Sequence, residues 1–263
     1  MSLDQPKDSS TIEYMVNGRK YALLSDLHTH TVYSHGSGSV LDNVLSARSQ
    51  GIMKIGIADH GPGHLGFGVP RKKLVEQKTE ILRLRKLYPD MEIYFSVEAD
   101  ILGGGGLDIK PSEFDYFDYI CAGWHYGAVN GLTPAGIAET IRNAARSSID
   151  KATKGQIRAN TRMLVKALEN NPIKILTHPG DKAPADLLEV AAVCAKTDTL
   201  VEINTLHMSL TAEDIKMMML ADIRFVVSSD AHSPDRVGDF IAAVNLLIDA
   251  KVDMDRVVNI KVL

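Results

Sequence analysis

The chain has 263 residues, of which 45% are apolar, and its 29 basic and 33 acidic side chains give a net charge of −4. This length lies within the range of a single α/β barrel, and the negative charge argues against non-specific binding to duplex nucleic acid. The first ten residues lack the apolar segment of a signal peptide, and no apolar run approaches the roughly 20 residues of a membrane helix, so we expect a soluble cytoplasmic protein.

The N-terminal region predicts a tail followed by a hairpin. Residues 1–10 are polar, and Asn17-Gly18 then separates two short runs of strand-forming residues, which is a strong hairpin signal. We therefore assign residues 1–20 to an N-terminal tail and hairpin arm, and residues 21–263 to one barrel domain. The first strand of that domain is predicted at Tyr21–Ser25.

Short apolar segments then alternate with longer amphipathic segments along the chain. Further strands are predicted at Ile52–Ala58, Glu92–Val97, Tyr119–Ala122, Ile173–Leu176, Leu200–Ile203 and Ile223–Val227. Helices are predicted at Val40–Ser49, Lys72–Leu87, Thr133–Ala145, Gln156–Glu169, Ala183–Ala195, Thr211–Ala221 and Arg236–Ala250. This alternation indicates an α/β fold with a parallel sheet, either closed as a barrel or open and doubly wound.

Two smaller features have simple explanations. The glycine run at residues 103–106 follows a strand and does not open a helix, so it is predicted to form a flexible turn. Cys121 and Cys194 lie far apart, each within an apolar run, and we expect both to be buried free thiols.

Most histidines and several carboxylates follow the ends of the predicted strands. These residues are Asp26, His28, His30, His35, Asp59, His60, Glu98, Asp100, His125, His178, Glu202, Asn204, Asp230 and His232. The C-terminal ends of parallel strands lie on one side of a sheet, where active sites form. Imidazole nitrogens and carboxylate oxygens bind Zn, Mn or Fe, and a bound cation would relieve the repulsion within such a crowded group. The sequence therefore predicts a metal cluster held by seven histidines and at least two carboxylates.

Some polar residues allow two interpretations. Asp26 lies on the same strand face as His28 and His30 if the two-residue period holds, so it either orients a ligand histidine or caps the strand end. Asp59 presents the same choice, and Glu202 and Asn204 are candidates for hydrogen bonds near the cluster. His64 and His207 are predicted to pack within loops, with substrate contact as the alternative.

The order of these motifs resembles that of the PHP family, named for polymerase and histidinol phosphatase domains. The Asp26-Leu27-His28-Thr29-His30-Thr31 segment resembles the first motif of the family, and Ser229-Asp230-Ala231-His232 resembles the last. The resemblance implies a distorted seven-stranded (β/α)7 barrel with three divalent ions. By position, it implies one ion on His28, His30, Glu98 and Asp230. A second would bind Glu98, His125 and His178, and a third His35, His60 and His232.

This resemblance implies a stand-alone phosphatase that hydrolyses a small phosphomonoester, with histidinol phosphate as one candidate. A trinuclear site attracts a phosphate dianion, and a metal-activated hydroxide would attack phosphorus in line. Asp230 and Asp26 are the carboxylates assigned to catalysis, the latter through a ligand histidine. Lys182 and Arg236, in loops that follow ligand motifs, are predicted to contact the substrate.

Two other functions remain open at this point. An amidohydrolase-like barrel that cleaves C–N bonds also begins with a His-x-His motif, although the additional histidines favour phosphate chemistry. A metal-stabilised nuclease or accessory module is disfavoured by the net charge and by the absence of room for polymerase domains in a chain of this length. The sequence predicts no oligomeric state.

Overall fold

In the computed structural model, residues 12–127, 134–145 and 151–263 are described. The chain enters through a hairpin of strands β1 (Glu13–Val16) and β2 (Arg19–Leu23). Asn17 and Gly18 between them have φ angles of 49° and 77°, the positive values that a two-residue hairpin turn requires. The last strand, β10 (Ile260–Val262), pairs antiparallel with β2 and completes a small three-stranded sheet.

The main sheet of the described residues has seven strands in chain order, and every neighbouring pair is parallel. The strands are β3 (Ser25–Thr29), β4 (Lys54–Ile57), β5 (Glu92–Asp100), β6 (Tyr119–Gly123), β7 (Ile173–Leu176), β8 (Leu200–Asn204) and β9 (Phe225–Ser228). The sheet nearly closes on itself, which confirms the predicted distorted seven-stranded barrel and excludes the open alternative.

The first barrel strand was predicted in the wrong place. The apolar residues Tyr21–Leu23 belong to β2, outside the barrel, and the barrel strand is the more polar segment that follows. Ser25, Asp26 and His28 are buried all the same, because hydrogen bonds satisfy their polar groups: Asn259 donates to the Ser25 carbonyl, Ser229 donates to Asp26, and Glu202 contacts His28. The predicted domain boundary between residues 20 and 21 falls inside β2.

Helices cover the outside of the barrel. They are α1 (Val40–Ser49), α2 (Arg71–Leu87), α3 (Pro134–Ala145), α4 (Lys154–Asn170), α5 (Leu187–Thr197), α6 (Ala212–Met218) and α7 (Ile241–Asp249). Thr133, the predicted first residue of α3, lies outside the described residues. Two helices begin several residues later than predicted: Asp186 caps α5 through the backbone N–H groups of Leu188 and Glu189, and Gly238 (φ 79°) separates α7 from a short 3-10 turn at Pro234–Arg236.

The side chains of the barrel strands alternate between two environments. Apolar residues such as Phe225 and Val227 belong to the large core shared with the helices, whereas Val226, Cys121 and Ile175 form a small separate cluster. Glu98 and Glu202 occupy alternate positions to their apolar strand neighbours, so the pleat turns both carboxylates away from the helical core.

The seam between β3 and β9 is closed by individual contacts. His30 donates its backbone N–H to the carbonyl of Ala231 at 2.8 Å. At the other end, the buried Asn259 donates to the carbonyls of Ser25 and Val227, each at 2.7 Å, and accepts from the Val227 N–H at 2.9 Å.

The glycine run at residues 103–106 forms the predicted turn. No helix in the described part of the chain has the length and apolarity to cross a membrane.

Candidate metal centre

The candidate ligands lie together at the C-terminal rim of the barrel. His28 and Glu98 are within strands, and the others follow strand ends by a few residues. In the first group, the Nε2 atoms of His28 and His30 are 3.1 Å apart, and Asp230 Oδ1 lies 3.1 Å from His30 Nε2. Oε2 of Glu98 lies 3.5 Å from both imidazole nitrogens. Ligand atoms of His28, His30 and Glu98 therefore lie within 4.8 Å of one another, and Asp230 lies beside both imidazoles.

A second group uses the other oxygen of the same glutamate. Oε1 of Glu98 lies 2.9 Å from His178 Nε2 and 3.3 Å from His125 Nε2, and these two nitrogens are 3.1 Å apart. Glu98 thus stands between two sets of imidazoles, as expected of a bridging carboxylate: Oε1 faces His125 and His178, and Oε2 faces His28 and His30. Oε2 also lies 3.1 Å from His60 Nδ1.

The third group is more accessible. His30, His35, His60 and His232 can each direct one nitrogen at a common volume, with the four atoms within 4.8 Å of one another. The His35 ring lies 5.0 Å from His60 and 4.1 Å from His232, measured between centroids. His35 is exposed and His232 partly buried, in contrast to the buried first and second groups.

The electrostatics of the cluster favour ionised carboxylates beside histidines. Burial opposes ionisation of Glu98 and Asp230, but nearby histidines hold the pKa of both carboxyls well below the usual range. Burial, together with the charge of His60, lowers the pKa of His30, and burial with charge repulsion from His232 and His60 lowers that of His35 to about 4. Carboxylates and neutral imidazoles are the protonation states that bind metal. In contrast, burial is outweighed by the surrounding carboxylates at His28 and His125, which raises the pKa of both, so a metal binding there would displace a proton.

Two carboxylates orient imidazoles from behind. Glu202 Oε1 lies 2.8 Å from His28 Nδ1, and Asp100 Oδ1 lies 2.7 Å from His125 Nδ1. In each contact, Nδ1 of the histidine donates its proton to the carboxylate, which leaves the lone pair of Nε2 facing the cluster. Glu202 also accepts the backbone N–H of His178 at 2.8 Å. From the sequence, we left the role of Glu202 open and predicted none for Asp100, although both were identified as strand-end carboxylates.

Asp26 does not have the orienting role that we assigned to it. Its carboxylate accepts from the N–H and hydroxyl of Ser229 and from the N–H of Gly238. The pairing of β3 with β4 shifts register between Asp26 and Thr29, so the two-residue period that placed Asp26 beside His28 is interrupted. Among the described contacts it hydrogen-bonds no histidine, and it joins β3 to the segment after β9.

Asp59 supports the loop that carries the third group. It accepts from the N–H and hydroxyl of Thr31 at 2.7 and 2.6 Å and from Gln77 at 2.5 Å. Its Oδ1 atom is 3.9 Å from His30 Nδ1, beyond hydrogen-bond distance. Asp59 therefore fixes the backbone that follows His30.

His64 and His207 face the site instead of packing within their loops. Both line a cavity of about 400 Å³ above the ligand groups. The His64 ring is 4.6 Å from that of His60, and His207 is 5.3 Å from His178. The sequence does offer one signal for this placement: both histidines lie in loops that follow barrel strands, β4 and β8. Neighbouring strands already carried ligand-type residues at the same ends.

The two predicted substrate contacts differ in position. Lys182 lines the cavity and forms an ion pair with Asp181. Arg236 is not among the cavity-lining residues, and its guanidinium pairs with Asp239 at 3.0 Å. The prediction for Arg236 is corrected accordingly, because the 3-10 turn at residues 234–236 directs this side chain to its own loop.

Two candidate ligands have an unusual backbone conformation. His178 has φ of 30° and Asp230 has φ of 50°, a region that costs a non-glycine residue free energy. The rim therefore holds two of its polar side chains in place at the expense of backbone strain.

The geometry fits cations better than it fits a closed network of hydrogen bonds. Buried Asp230 Oδ1 and His60 Nδ1 form no hydrogen bond of acceptable geometry with the described residues, although ligand-type atoms lie within 3.1 Å of each. Such unpartnered buried atoms are costly unless an ion or water completes them. The donor set of imidazoles and carboxylates suits divalent ions.

Comparisons with known proteins agree with this arrangement. The probable phosphatase YcdX of Escherichia fergusonii is 26% identical over 249 residues, which cover 89% of each chain. A crystal structure of a candidate histidinol phosphatase from Listeria monocytogenes matches with a TM-score of 0.62 and 16% identity, covering 83% of this chain and 99% of that one. The histidinol phosphate phosphatase of Lactococcus lactis, solved with Zn, L-histidinol and phosphate, matches with a TM-score of 0.56 and 16% identity, covering 86% and 93%.

The family is decided by the sequence itself. Residues 26–206 match the PHP domain, and this segment contains the first motif and every candidate ligand except Asp230 and His232. The match spans well over half of the chain, and the barrel has the fold of the solved structures. The resemblance found in the motifs is thereby confirmed: this chain belongs to the PHP domain family.

Proposed function

We propose that the protein is a metal-dependent phosphoric monoester hydrolase with a trinuclear site that acts on a small phosphomonoester. The observation that carries the proposal is Glu98, whose two oxygens each face a different set of imidazoles. The relative from Escherichia fergusonii, similar along nearly the whole chain, is named a phosphatase. The Lactococcus protein binds L-histidinol and phosphate, so histidinol phosphate is the first substrate to test.

The proposed ligand sets follow the three groups of side chains. His28, His30, Glu98 and Asp230 would hold the first ion, and Glu98, His125 and His178 the second. His35, His60 and His232 would hold the third, which is the most accessible from the cavity. Zn, Mn and Fe all suit these ligands, and the Zn bound by the Lactococcus structure makes Zn the first choice for reconstitution.

When bound, such ions supply Lewis-acid stabilisation of phosphoryl oxygens and lower the pKa of bound water. The protein's own residues supply charge balance and orientation. Because only two of the proposed ligands are carboxylates, the loaded site would keep net positive charge toward a phosphate dianion. Glu202 and Asp100 hold imidazoles in position, and Lys182 at the cavity wall would contact the ester.

Phosphate chemistry is favoured over C–N hydrolysis by the third histidine group. A hydrolase acting on amides needs one or two ions, whereas His35, His60 and His232 provide a further cluster around the same cavity. The net charge of −4 likewise gives no support to a nuclease function.

The test is reconstitution with Zn, Mn or Fe, followed by assays on an aryl phosphate, histidinol phosphate and a panel of amides. We expect about three ions per chain by elemental analysis and phosphate release that depends on metal. His28→Ala and Asp230→Ala should abolish turnover with the fold retained, while Glu213→Ala, an exposed control on α6, should behave as wild type. Hydrolysis of amides alone, or normal turnover by either variant at limiting metal, would contradict the proposal.

A further inference from the structure

A second, larger cavity adjoins the metal cavity at the rim of the barrel. It has a volume of about 770 Å³ and lies between α4, α5 and α6. Its apolar walls include Ile157, Leu187, Leu210 and Met217, and we call it the apolar groove. Tyr126 and Lys182 line both cavities, so the two spaces share a wall.

The junction between the cavities is polar and held in position. Lys182 forms an ion pair with Asp181, whose Oδ2 atom is also 3.3 Å from His207 Nδ1. The side chains of Lys182 and Asp181 are only 20% and 23% exposed. A phosphate group bound beside the histidines would therefore have its ester oxygen near Lys182, with the remainder of the substrate directed along the groove.

The charges of the groove limit what that remainder can be. Asp181, Asp186 and Asp214 all line it, and Lys182 is the one basic side chain among its described lining residues. Asp186 caps the N-terminus of α5, and Asp214 accepts from the N-cap residue Thr211 of α6, so both carboxylates are fixed in place. A second phosphate or a carboxylate on the substrate would be repelled there, whereas an apolar body is accommodated.

We propose that the apolar groove binds the alcohol part of the substrate, so that the enzyme selects phosphomonoesters of larger, predominantly apolar alcohols without a second anionic group. This inference rests on the proposed phosphatase function and specifies its substrate class. Met217 and Leu210 are the specificity-determining residues, because they supply apolar wall of the groove and neither lines the metal cavity.

The test compares ethyl phosphate with hexyl phosphate, which have leaving groups of nearly equal reactivity and differ in apolar length. Burial of each methylene group is worth about fourfold in binding, so we expect kcat/KM of the metal-loaded enzyme to be at least about tenfold higher for hexyl phosphate. Met217→Glu should move the hexyl-to-ethyl ratio toward one. The control Leu220→Glu, at a residue that is 77% exposed just beyond α6 and outside the groove, should keep the wild-type ratio.

Binding of the non-hydrolysable hexylphosphonate and ethylphosphonate, measured by calorimetry, provides a second readout. Tighter binding of hexylphosphonate to wild type and Leu220→Glu, lost in Met217→Glu, supports the groove as the alcohol site. Turnover of both esters with no preference for length would overturn this inference while leaving the phosphatase function intact. A preference for length that Met217→Glu does not alter would also overturn it. Failure to hydrolyse any phosphomonoester would refute the proposed function itself.

Discussion

Glu202 shows how a residue that is not itself a proposed ligand can control the metal centre. It is fully buried, and its two oxygens contact His28 Nδ1 and the backbone N–H of His178. One carboxylate thereby positions histidines from two different proposed ion sites. Burial works against protonation of His28, but the combined charges of Asp230, Glu98 and Glu202 raise the pKa of this histidine well above its ordinary value.

Replacement of Glu202 by Gln should weaken metal binding without removing a ligand. The amide can still contact His28 but lacks the negative charge that makes the imidazole a stronger metal ligand. Loss of such a partner typically lowers metal affinity by roughly 10- to 100-fold. Competition with a chromophoric chelator measures the change, and Glu213→Gln on the surface is the matched control. An affinity equal to that of wild type would show that Glu202 has no such influence.

The candidate ligands could be predicted from sequence because each lies near the C-terminal end of a strand or in the loop after it, and parallel strands end on the same side. The orienting partners could not, because their role depends on which ring nitrogen faces which carboxylate. Asp26 illustrates the limit: strand periodicity placed it beside His28, and a register shift in β3 separated the two. His64 and His207 belong to loops whose direction no local pattern determines.

The two cysteines should be unreactive in the native protein. Burial raises the pKa of both the Cys121 and Cys194 thiols to about 12, so at pH 8 nearly all of each remains the neutral thiol rather than the reactive thiolate. A colorimetric thiol assay at pH 8 should detect none in native protein and two after denaturation. Rapid modification of either thiol before unfolding would contradict the expected burial.

At the scale of elements, the seam between β3 and β9 is the distinctive feature of this barrel. The other neighbouring strands of the sheet pair through parallel ladders, with register shifts in the β3–β4 and β6–β7 pairs, whereas this seam depends on the Thr29–Ala231 bridge and on side chains. Asp26 ties β3 to Ser229 and Gly238 near the rim, and Asn259 ties the opposite end. Both side chains are buried, so neither group can turn to water if its partner is removed.

Asp26→Ala should destabilise the fold more than it affects the chemistry. It leaves the N–H groups of Ser229 and Gly238 without their acceptor, which costs about 2–6 kcal/mol of unfolding free energy at about 1–3 kcal/mol per buried group. Urea unfolding measures this loss, and Asp90→Ala, which breaks a surface pair with Arg48, should have a much smaller effect. Loss of turnover with unchanged stability would instead restore the catalytic role.

Most helices and strands were predictable because their hydrophobic period is unambiguous, and the Asn17-Gly18 turn has the φ angles that its sequence demands. The exceptions have local causes. Capping by Asp186 delays the start of α5, and the positive φ of Gly238 interrupts the segment before α7. The polar strand β3 escaped prediction because its burial depends on partners from distant parts of the sequence.

At the scale of the whole molecule, the proposed ligands come from nearly every strand of the barrel. They lie in or just after β3, β4, β5, β6, β7 and β9, and β8 contributes Glu202 behind them. Bound cations would therefore join elements that span more than 200 residues of sequence. Such cross-links act on the cooperative unfolding of the entire barrel, because the unfolded chain does not hold these groups together.

Removal of metal by a chelator should lower the thermal midpoint of unfolding, and re-addition should restore it. For each site, a free-ion concentration about 100 times Kd adds about 2.7 kcal/mol of stability. Calorimetry at several Zn concentrations measures the effect, which should rise with concentration. A double variant lacking His28 and Asp230 should show a much smaller increase, and a midpoint independent of Zn in wild type would argue against coupling of binding to folding.

The positive φ angles of His178 and Asp230 create a trade-off between the stability of this barrel and its activity. Glycine would adopt either conformation without strain, yet it would remove the imidazole or carboxylate that the site needs. Selection for thermostability alone would thus tend to discard these side chains, and directed evolution of a hardier variant must retain metal-dependent turnover as a criterion.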